Sequence, residues 1–272
     1  LGASTISGTA SFNSTSNAIT DRGTLAITGA TTLNSGSADL TLDQSASTFG
    51  TLAITGANVA VTENAAMDLG ASTISGTASF NSTSNAITDS GTLAITGATT
   101  LNSGSADITL NEAASTFGTL AITGTNVAVT ENAAMDLGAS TISGTASFNS
   151  SNNAITDSGT LAITGVTTLN SGSADLTLDE AASTFGALAI TGANVAVTEN
   201  AAMDLGASTI SGTASFNSTS NAITDSGTLA ITGATTLNSG SADLTLDEAA
   251  STFGALAITG ANVAVTENAA MD

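Results

Sequence analysis

The chain has 272 residues, of which 22 are acidic and one is basic, and it contains no Pro, Cys, His, Trp or Tyr. The lack of Cys and His excludes disulfides, thiol nucleophiles and zinc–imidazole sites, and with them most familiar hydrolase and metalloenzyme chemistry. A formal net charge of −21, with Arg22 as the only cation, excludes nucleic-acid binding, and no apolar stretch is long enough for membrane insertion.

An internal repeat determines the organisation of the chain. The segment that begins at Leu1 recurs from Leu69, Leu137 and Leu205, so four near-identical repeats of 68 residues account for the whole sequence. An active site needs one position that differs from its copies, and fourfold duplication therefore predicts a structural or multivalent protein, not an enzyme, and no cofactor. We expect one continuous solenoid, a segment of a longer array, built from repeats 1–68, 69–136, 137–204 and 205–272.

Each repeat has a shorter internal rhythm. An Ile followed two residues later by Gly occurs at Ile6, Ile27 and Ile54, with a mean spacing that suits one coil of a β-solenoid. Residues 1–23, 24–50 and 51–68 are the predicted coils of the first repeat. The prediction is a right-handed parallel β-helix, all-β, with about three coils per repeat and twelve coils in total.

Alternation of apolar and polar residues places strands within each coil. Segments such as Thr24–Thr28 and Asn58–Thr62 alternate at period two, which is typical of a strand with one buried face. Asn, Asp, Ser and Gly between the segments favour turns, and Asn13 and Asn34 are placed to stack at a corner. The aliphatic ladder expected inside the coils is formed by Ile6, Ile27, Ile54, Ile74, Ile95 and Ile122.

Two surface features could bind a partner. Acidic residues at repeated positions could line one edge and bind Ca²⁺, which takes six to eight oxygen ligands; the candidates are Asp21, Asp43 and Asp68. The alternative is that these are solvated turn residues. A flat, uncharged face is the second feature, suited to packing against other chains or to binding ice, and it consists of Thr5, Ser7, Thr24, Ala26, Thr28, Thr51, Ala53 and Thr55. Plain exposed strand is the alternative for this face.

A resemblance adds to these observations. The runs Asn58–Asn64, Met67–Gly76 and Ala86–Leu93 resemble repeat regions of large secreted bacterial exoproteins of the filamentous haemagglutinin type. The resemblance implies a right-handed parallel β-helix, secretion to the cell surface, and a role as a long adhesin or stalk.

The predicted function is therefore mechanical: an extracellular fibre, filament or adhesin shaft. Self-association is expected end to end and possible side by side, without a nucleic-acid partner. The alternative is a surface-binding module that uses the flat face or the acidic edge to recognise ice, calcium or a cell-surface glycan.

Overall fold

The computed structural model describes residues 1–268 of the chain, and these residues form strands, turns and loops without a helix. They divide into two compact units, with the boundary between Ala133 and Ala134. Paired strands run parallel and stack coil upon coil, which confirms the prediction of an all-β parallel solenoid.

The strands of the first unit are short, with two to six residues each. They are β1 (Ser4–Ile6), β2 (Ala10–Asn13), β3 (Ile19–Thr20), β4 (Leu25–Ile27), β5 (Thr31–Asn34), β6 (Leu40–Leu42), β7 (Thr51–Gly56), β8 (Val59–Thr62), β9 (Met67–Leu69), β10 (Ser72–Ile74), β11 (Ala78–Asn81), β12 (Ile87–Asp89), β13 (Leu93–Ile95), β14 (Thr99–Asn102), β15 (Ile108–Leu110), β16 (Thr119–Gly124) and β17 (Val127–Thr130).

The second unit repeats this pattern of strands. They are β18 (Met135–Leu137), β19 (Ser140–Ile142), β20 (Ala146–Asn149), β21 (Ile155–Asp157), β22 (Leu161–Ile163), β23 (Thr167–Asn170), β24 (Leu176–Leu178), β25 (Ala187–Gly192), β26 (Val195–Thr198), β27 (Met203–Leu205), β28 (Ser208–Ile210), β29 (Ala214–Asn217), β30 (Ile223–Asp225), β31 (Leu229–Ile231), β32 (Thr235–Asn238), β33 (Leu244–Leu246), β34 (Leu256–Thr259) and β35 (Val263–Val265).

Three strands make one coil at the start of the first unit. The chain runs through β1, β2 and β3 and then returns, so that β4 pairs with β1, β5 with β2 and β6 with β3. Inward residues are mostly apolar and outward residues mostly small and polar, as in β5, where Thr32 is exposed and Leu33 is buried. One face of every strand can therefore join a common core while the other faces solvent.

A bulge changes the pattern where the first repeat meets the second. Strand β7 is six residues long, and two strands cover it: its first half pairs with β9, through Leu52 opposite Leu69, and its second half with β10, through Thr55 opposite Thr73. One extra residue lies on the β9–β10 side. Ser72 repairs the hydrogen bonding there, because its Oγ accepts a hydrogen bond of 3.0 Å from Ile54 N.

Coils are shorter than the Ile-x-Gly spacing predicts. Five register steps in the first unit lead from Ile19 through Leu40, Val59, Ala78 and Thr99 to Leu120, which is 101 residues or about 20 per coil. A 68-residue repeat therefore makes somewhat more than three coils, close to three and a half.

The extra half coil moves successive repeats to opposite sides. Strands β2 and β11 carry the same sequence one repeat apart, yet β2 pairs with β5 in one sheet whereas β11 pairs with β8 and β14 in the other. In the second unit β20 and β29 differ in the same way. Within each unit, the two copies of a given surface residue therefore lie on different sheets.

The predicted core ladder is buried except for Ile6, which is half-buried, but it does not form one stack. Ile6 lies opposite Ile27, and Ile74 opposite Ile95, as predicted. The prediction is wrong for the other two residues, since Ile54 lies opposite Leu33 and Ile122 opposite Leu101. The physical reason is that Thr48 already pairs with Ala26, so the chain has passed the first side of the third coil before it reaches Ile54.

Candidate functional site

The acidic residues predicted to bind calcium are engaged within the protein. Asp21 is 8% exposed, and its carboxylate accepts hydrogen bonds from Asp43 N at 3.0 Å and Gln44 N at 3.4 Å on the next coil. The copies of Asp21, such as Asp89 and Asp157, bind backbone N–H groups in the same way. Burial raises the pKa of Asp89 and Asp157, and these hydrogen bonds to the carboxylate oppose the rise.

Asp68 joins strands on either side of it. Its Oδ2 accepts hydrogen bonds from Thr51 Oγ1 at 2.6 Å and from Ser90 Oγ at 2.9 Å. In the third repeat Ala187 replaces the threonine, and Oδ1 of Asp204 is buried without a hydrogen-bond partner. The Asp68 position therefore strengthens the contact between coils wherever the threonine is present.

In neither arrangement do three acidic side chains of the described residues come together. Across residues 1–268, the structure brings no three acidic side chains close enough together to hold one metal ion. Asp21 and Asp68 use their oxygens on N–H and O–H donors of the chain instead.

The predicted flat face is divided between two sides of the first unit. Thr5 and Ala26 lie opposite each other in the pair β1–β4. Ala53 and Thr55 instead lie opposite Thr32 and Asn34 in the pair β5–β7. The eight predicted residues therefore do not form one array, because residues 51–56 belong to a different side from residues 4–6 and 24–28.

Polar ladders run along the corners between strands. Asn13 lies opposite Asn34, as predicted, and each Oδ1 accepts a hydrogen bond from a backbone N–H two residues later. A second ladder was not predicted. Asp39 Oδ1 accepts from Asn58 Nδ2 at 2.9 Å, and Asn58 Oδ1 accepts from Thr77 N at 3.1 Å, so three successive coils are linked.

A buried glutamate is the least expected feature of the first three repeats. Glu63, Glu131 and Glu199 are fully buried, and in each the Oε2 atom accepts a hydrogen bond of 2.8 to 3.0 Å from the N–H of a phenylalanine 14 residues earlier. The Oε1 atom of each has no hydrogen-bond partner. Burial raises the pKa of all three to about 8, so these side chains are mostly protonated at neutral pH.

The sequence contains a signal for this burial. Val59 and Val61 point inward, and Glu63 follows at the same alternation. Continuing the period of two by one step places the glutamate inside the coil. The residue type points the other way, because acidic side chains are rarely buried without a partner.

Several of these features join each coil to the next. Backbone ladders, aliphatic stacks and the Asp39–Asn58 ladder link residues that lie about one coil apart in sequence, and each buried glutamate bonds a backbone N–H 14 residues earlier. In the part of the chain that the structure describes, no helix could span a membrane.

Comparison with known proteins identifies the repeats. A protein-family profile described as "Repeats of unknown function (DUF5649)" matches residues 1–55, 56–123, 124–191 and 192–260. No curated protein and no solved structure matches the chain.

Proposed function

We propose that this chain, which belongs to the family of repeats of unknown function (DUF5649), is a structural protein of the cell exterior: a rigid shaft or filament whose length is set by the number of repeats. One observation carries the proposal. Side chains that every repeat supplies join consecutive coils, as Asn58 Nδ2 donates to Asp39 Oδ1 19 residues earlier, and the same hydrogen bond recurs in all four repeats.

The contacts explain why such a shaft would be stiff. Bending a stack of coils requires that backbone hydrogen bonds lengthen on one side, together with corner bonds such as that between Asp39 and Asn58. Stability in a solenoid grows by nearest-neighbour interfaces, so each added coil brings the same contribution. Without Cys, stiffness comes from hydrogen bonding and packing alone.

The cell exterior and the absence of catalysis are part of the same proposal. The resemblance to exoproteins of the filamentous haemagglutinin type supports secretion and a role in adhesion or as a stalk. The near-identity of the four repeats supports a non-enzymatic role without cofactors, since no copy carries a set of side chains that the others lack.

The test is the length of arrays with different repeat numbers. Arrays of two, four and eight repeats are imaged by electron microscopy, and we expect the end-to-end distance to rise in proportion, by about 16 Å per repeat for strands about 4.8 Å apart. An end-to-end distance that rises with the square root of the repeat number would indicate a flexible chain and overturn the proposal.

A matched pair of variants checks that the coils cause the stiffness. Leu93→Asp puts a charge into the core, where Leu93 is fully buried, and we expect it to bend or break the shaft at one point. Thr100→Asp puts the same charge on an exposed position and leaves the shaft straight. Equal behaviour of the two variants would contradict the proposed origin of the stiffness.

A surface-binding module is the alternative function. The divided Thr and Ala face argues against ice binding, which needs a continuous regular array, and the engaged carboxylates argue against calcium. Thermal hysteresis, or a melting temperature that rises with calcium, would favour the alternative over the structural role.

A further inference from the structure

A short polar motif recurs at one corner of every repeat. Asn-Ser-Thr occupies residues 13–15, 81–83 and 217–219, and Asn-Ser-Ser occupies residues 149–151. Asparagine, then any residue except proline, then serine or threonine is the acceptor pattern for N-linked sugar. The asparagine opposite Asn81 in the next coil is Asn102, where glycine takes the third place and the pattern is absent.

These two corners have the same turn but different residues at its third position. Asn81 Oδ1 accepts a hydrogen bond from Thr83 N at 3.1 Å, just as Asn102 Oδ1 accepts one from Gly104 N at 2.9 Å. The φ angles of Thr83 and Gly104 are both left-handed, at 49° and 58°. Glycine adopts this conformation without steric cost, whereas a residue with a Cβ does not. The backbone of the turn therefore favours glycine, and the hydroxyl residue in its place needs another reason.

The same strained choice recurs in the other repeats. Thr15, Ser151 and Thr219 have φ angles between 47° and 58°, and the asparagine two residues earlier accepts a hydrogen bond from each of their N–H groups. Where the third repeat differs, serine replaces threonine, so the acceptor pattern is kept.

The amide nitrogen of the motif asparagine is not used by the fold. In the described part of the chain, Nδ2 of Asn81 donates no hydrogen bond, and it is in contact with solvent. Other corner asparagines do use this nitrogen, since Asn58 Nδ2 donates to Asp39 and Asn85 Nδ2 donates to the carbonyl oxygen of Ser82 at 3.0 Å. Asn81 thus combines the acceptor pattern with an unengaged nitrogen, the atom to which N-linked sugar is joined.

We propose that the asparagine of this motif is a modification site that carries N-linked sugar in every repeat; the four sites are Asn13, Asn81, Asn149 and Asn217. The co-substrate is an activated sugar, joined through its anomeric carbon to a phosphate or pyrophosphate carrier. Asparagine Nδ2 forms a bond to the anomeric carbon, the bond from that carbon to the phosphate oxygen breaks, and the carrier leaves with the electron pair. Nδ2 gives up one proton to a basic group of the transferase.

The folded corner indicates when the sugar is added. Thr83 Oγ1, the hydroxyl that the acceptor pattern requires, donates to the carbonyl oxygen of Glu63 at 2.9 Å and to Asn64 Oδ1 at 3.1 Å. A transferase therefore reaches this hydroxyl before the corner folds. Strands β2 and β11 lie in different sheets of the first unit, as do β20 and β29 in the second, so each unit carries sugar on two sheets.

The test is peptide mass spectrometry of the chain purified from its native source. Cleavage before aspartate gives peptides 68–88 and 204–224, which have the same sequence, and the distinct peptide 136–156. We expect each to carry sugar, located on the motif asparagine by electron-transfer fragmentation. Peptide 89–106, which includes Asn102, is the internal control and should carry none. Bare motif peptides, or sugar on serine and threonine hydroxyls instead, would overturn the inference.

Variants made in the same host test the individual residues. Asn81→Asp keeps an oxygen acceptor for Thr83 N but removes the amide nitrogen, and we expect the intact mass to fall by one of the four sugar chains. Thr83→Gly copies the neighbouring corner and should lose the same sugar chain, with the β signal in circular dichroism unchanged. Thr83→Ser should keep it.

Asn102→Asp is the matched control, because it makes the same change at the corner without the acceptor pattern, and it should keep all four sugar chains. A sugar chain retained in Thr83→Gly, or lost in Asn102→Asp, would contradict the inference. A folded chain without any sugar would overturn the modification and leave the structural role standing, because stiffness does not depend on the modification.

Discussion

At the scale of single residues, the first three repeats each hold a carboxyl proton in the interior. The folded state holds the carboxyl proton of Glu131 up to about pH 8, whereas the unfolded chain releases it near pH 4.5. The folded-state pKa is raised, so the stabilisation is complete below pH 4.5, declines as the pH rises, and is lost above about pH 8. The decline amounts to about 1.4 kcal/mol per pH unit for each such glutamate.

We therefore predict that Glu131→Gln makes the free energy of unfolding less dependent on pH. Glutamine keeps the acceptor for Phe117 N but cannot ionise, so one share of the loss between pH 5 and 9 disappears. Urea unfolding at pH 5, 7 and 9 measures the effect. Thr100→Gln, an exposed change that removes no titratable group, is the control and should keep the slope of the unchanged chain; a slope unaffected by Glu131→Gln would contradict the prediction.

A buried hydroxyl group marks a position where a substitution can raise stability. Thr99 is fully buried and its Oγ1 has no hydrogen-bond partner. We predict that Thr99→Val raises the free energy of unfolding by about 1 kcal/mol, because a methyl group of similar size removes an unpaired polar atom from the core. Thr100→Val, one residue along and exposed, should change it little; a loss of stability in Thr99→Val would show that the hydroxyl is needed.

At the scale of strands, the third repeat contains a natural deletion of a hydrogen bond. β25 begins with Ala187, whereas β7 begins with Thr51, which donates to Asp68. We predict that Ala187→Thr supplies a donor to Asp204 and raises the free energy of unfolding by about 1 kcal/mol. The reverse change, Thr51→Ala, should lower it by a similar amount, and thermal or urea unfolding of both variants checks the pair. Equal signs for the two changes would contradict it.

The close approach of two backbone segments restricts which side chains a corner glycine position can accept. A Cβ on Gly97 would lie 2.6 Å from the carbonyl oxygen of Gly76 on the preceding coil. We predict that Gly97→Ala lowers the free energy of unfolding by more than about 2 kcal/mol. The atoms that the added Cβ would meet, O and C of Gly76, belong to backbone that the hydrogen-bond ladder holds in place. Ala98→Gly, at the neighbouring position, is the control and should cost less; a stable Gly97→Ala chain would mean that the corner can widen.

At the scale of the whole molecule, the half coil per repeat determines which surface a side chain occupies. Thr32 in β5 and Thr100 in β14 are copies 68 residues apart and lie in different sheets, whereas Thr88 in β12 shares the sheet of Thr32. A ligand that binds the surface of one repeat would thus find the same surface of the next repeat on a different sheet of the unit.

We predict that spin labels at Thr32 and Thr100 are farther apart than labels at Thr32 and Thr88, by at least about 5 Å, because packed sheets are about 10 Å apart. Pulsed electron resonance measures both distances on variants with two cysteines, and the chain offers no other cysteine. Equal distances would contradict the alternation of repeats between sheets.

The sequence by itself determined the repeat, the strand type and the parallel stacking. A period of 68 residues, alternation as in Val59–Thr62, and Asn or Gly at the corners act locally, so they can be read without knowing what lies above or below. The pairing of Ile6 with Ile27 and of Asn13 with Asn34 followed from these local features.

Only the tertiary structure decided the coil length, the extra half coil per repeat and the surroundings of each polar side chain. Ile54 matches the local motif of Ile27, but Thr48 already occupies the place next to Ala26, and the bulge between β9 and β10 shifts the strands beyond it. Whether Asp21 binds a cation or a backbone N–H, and whether Glu63 is charged, depends on the neighbouring coil. The reason is physical: register and burial depend on contacts between strands about 20 residues apart in sequence, and no single segment includes both partners of such a contact.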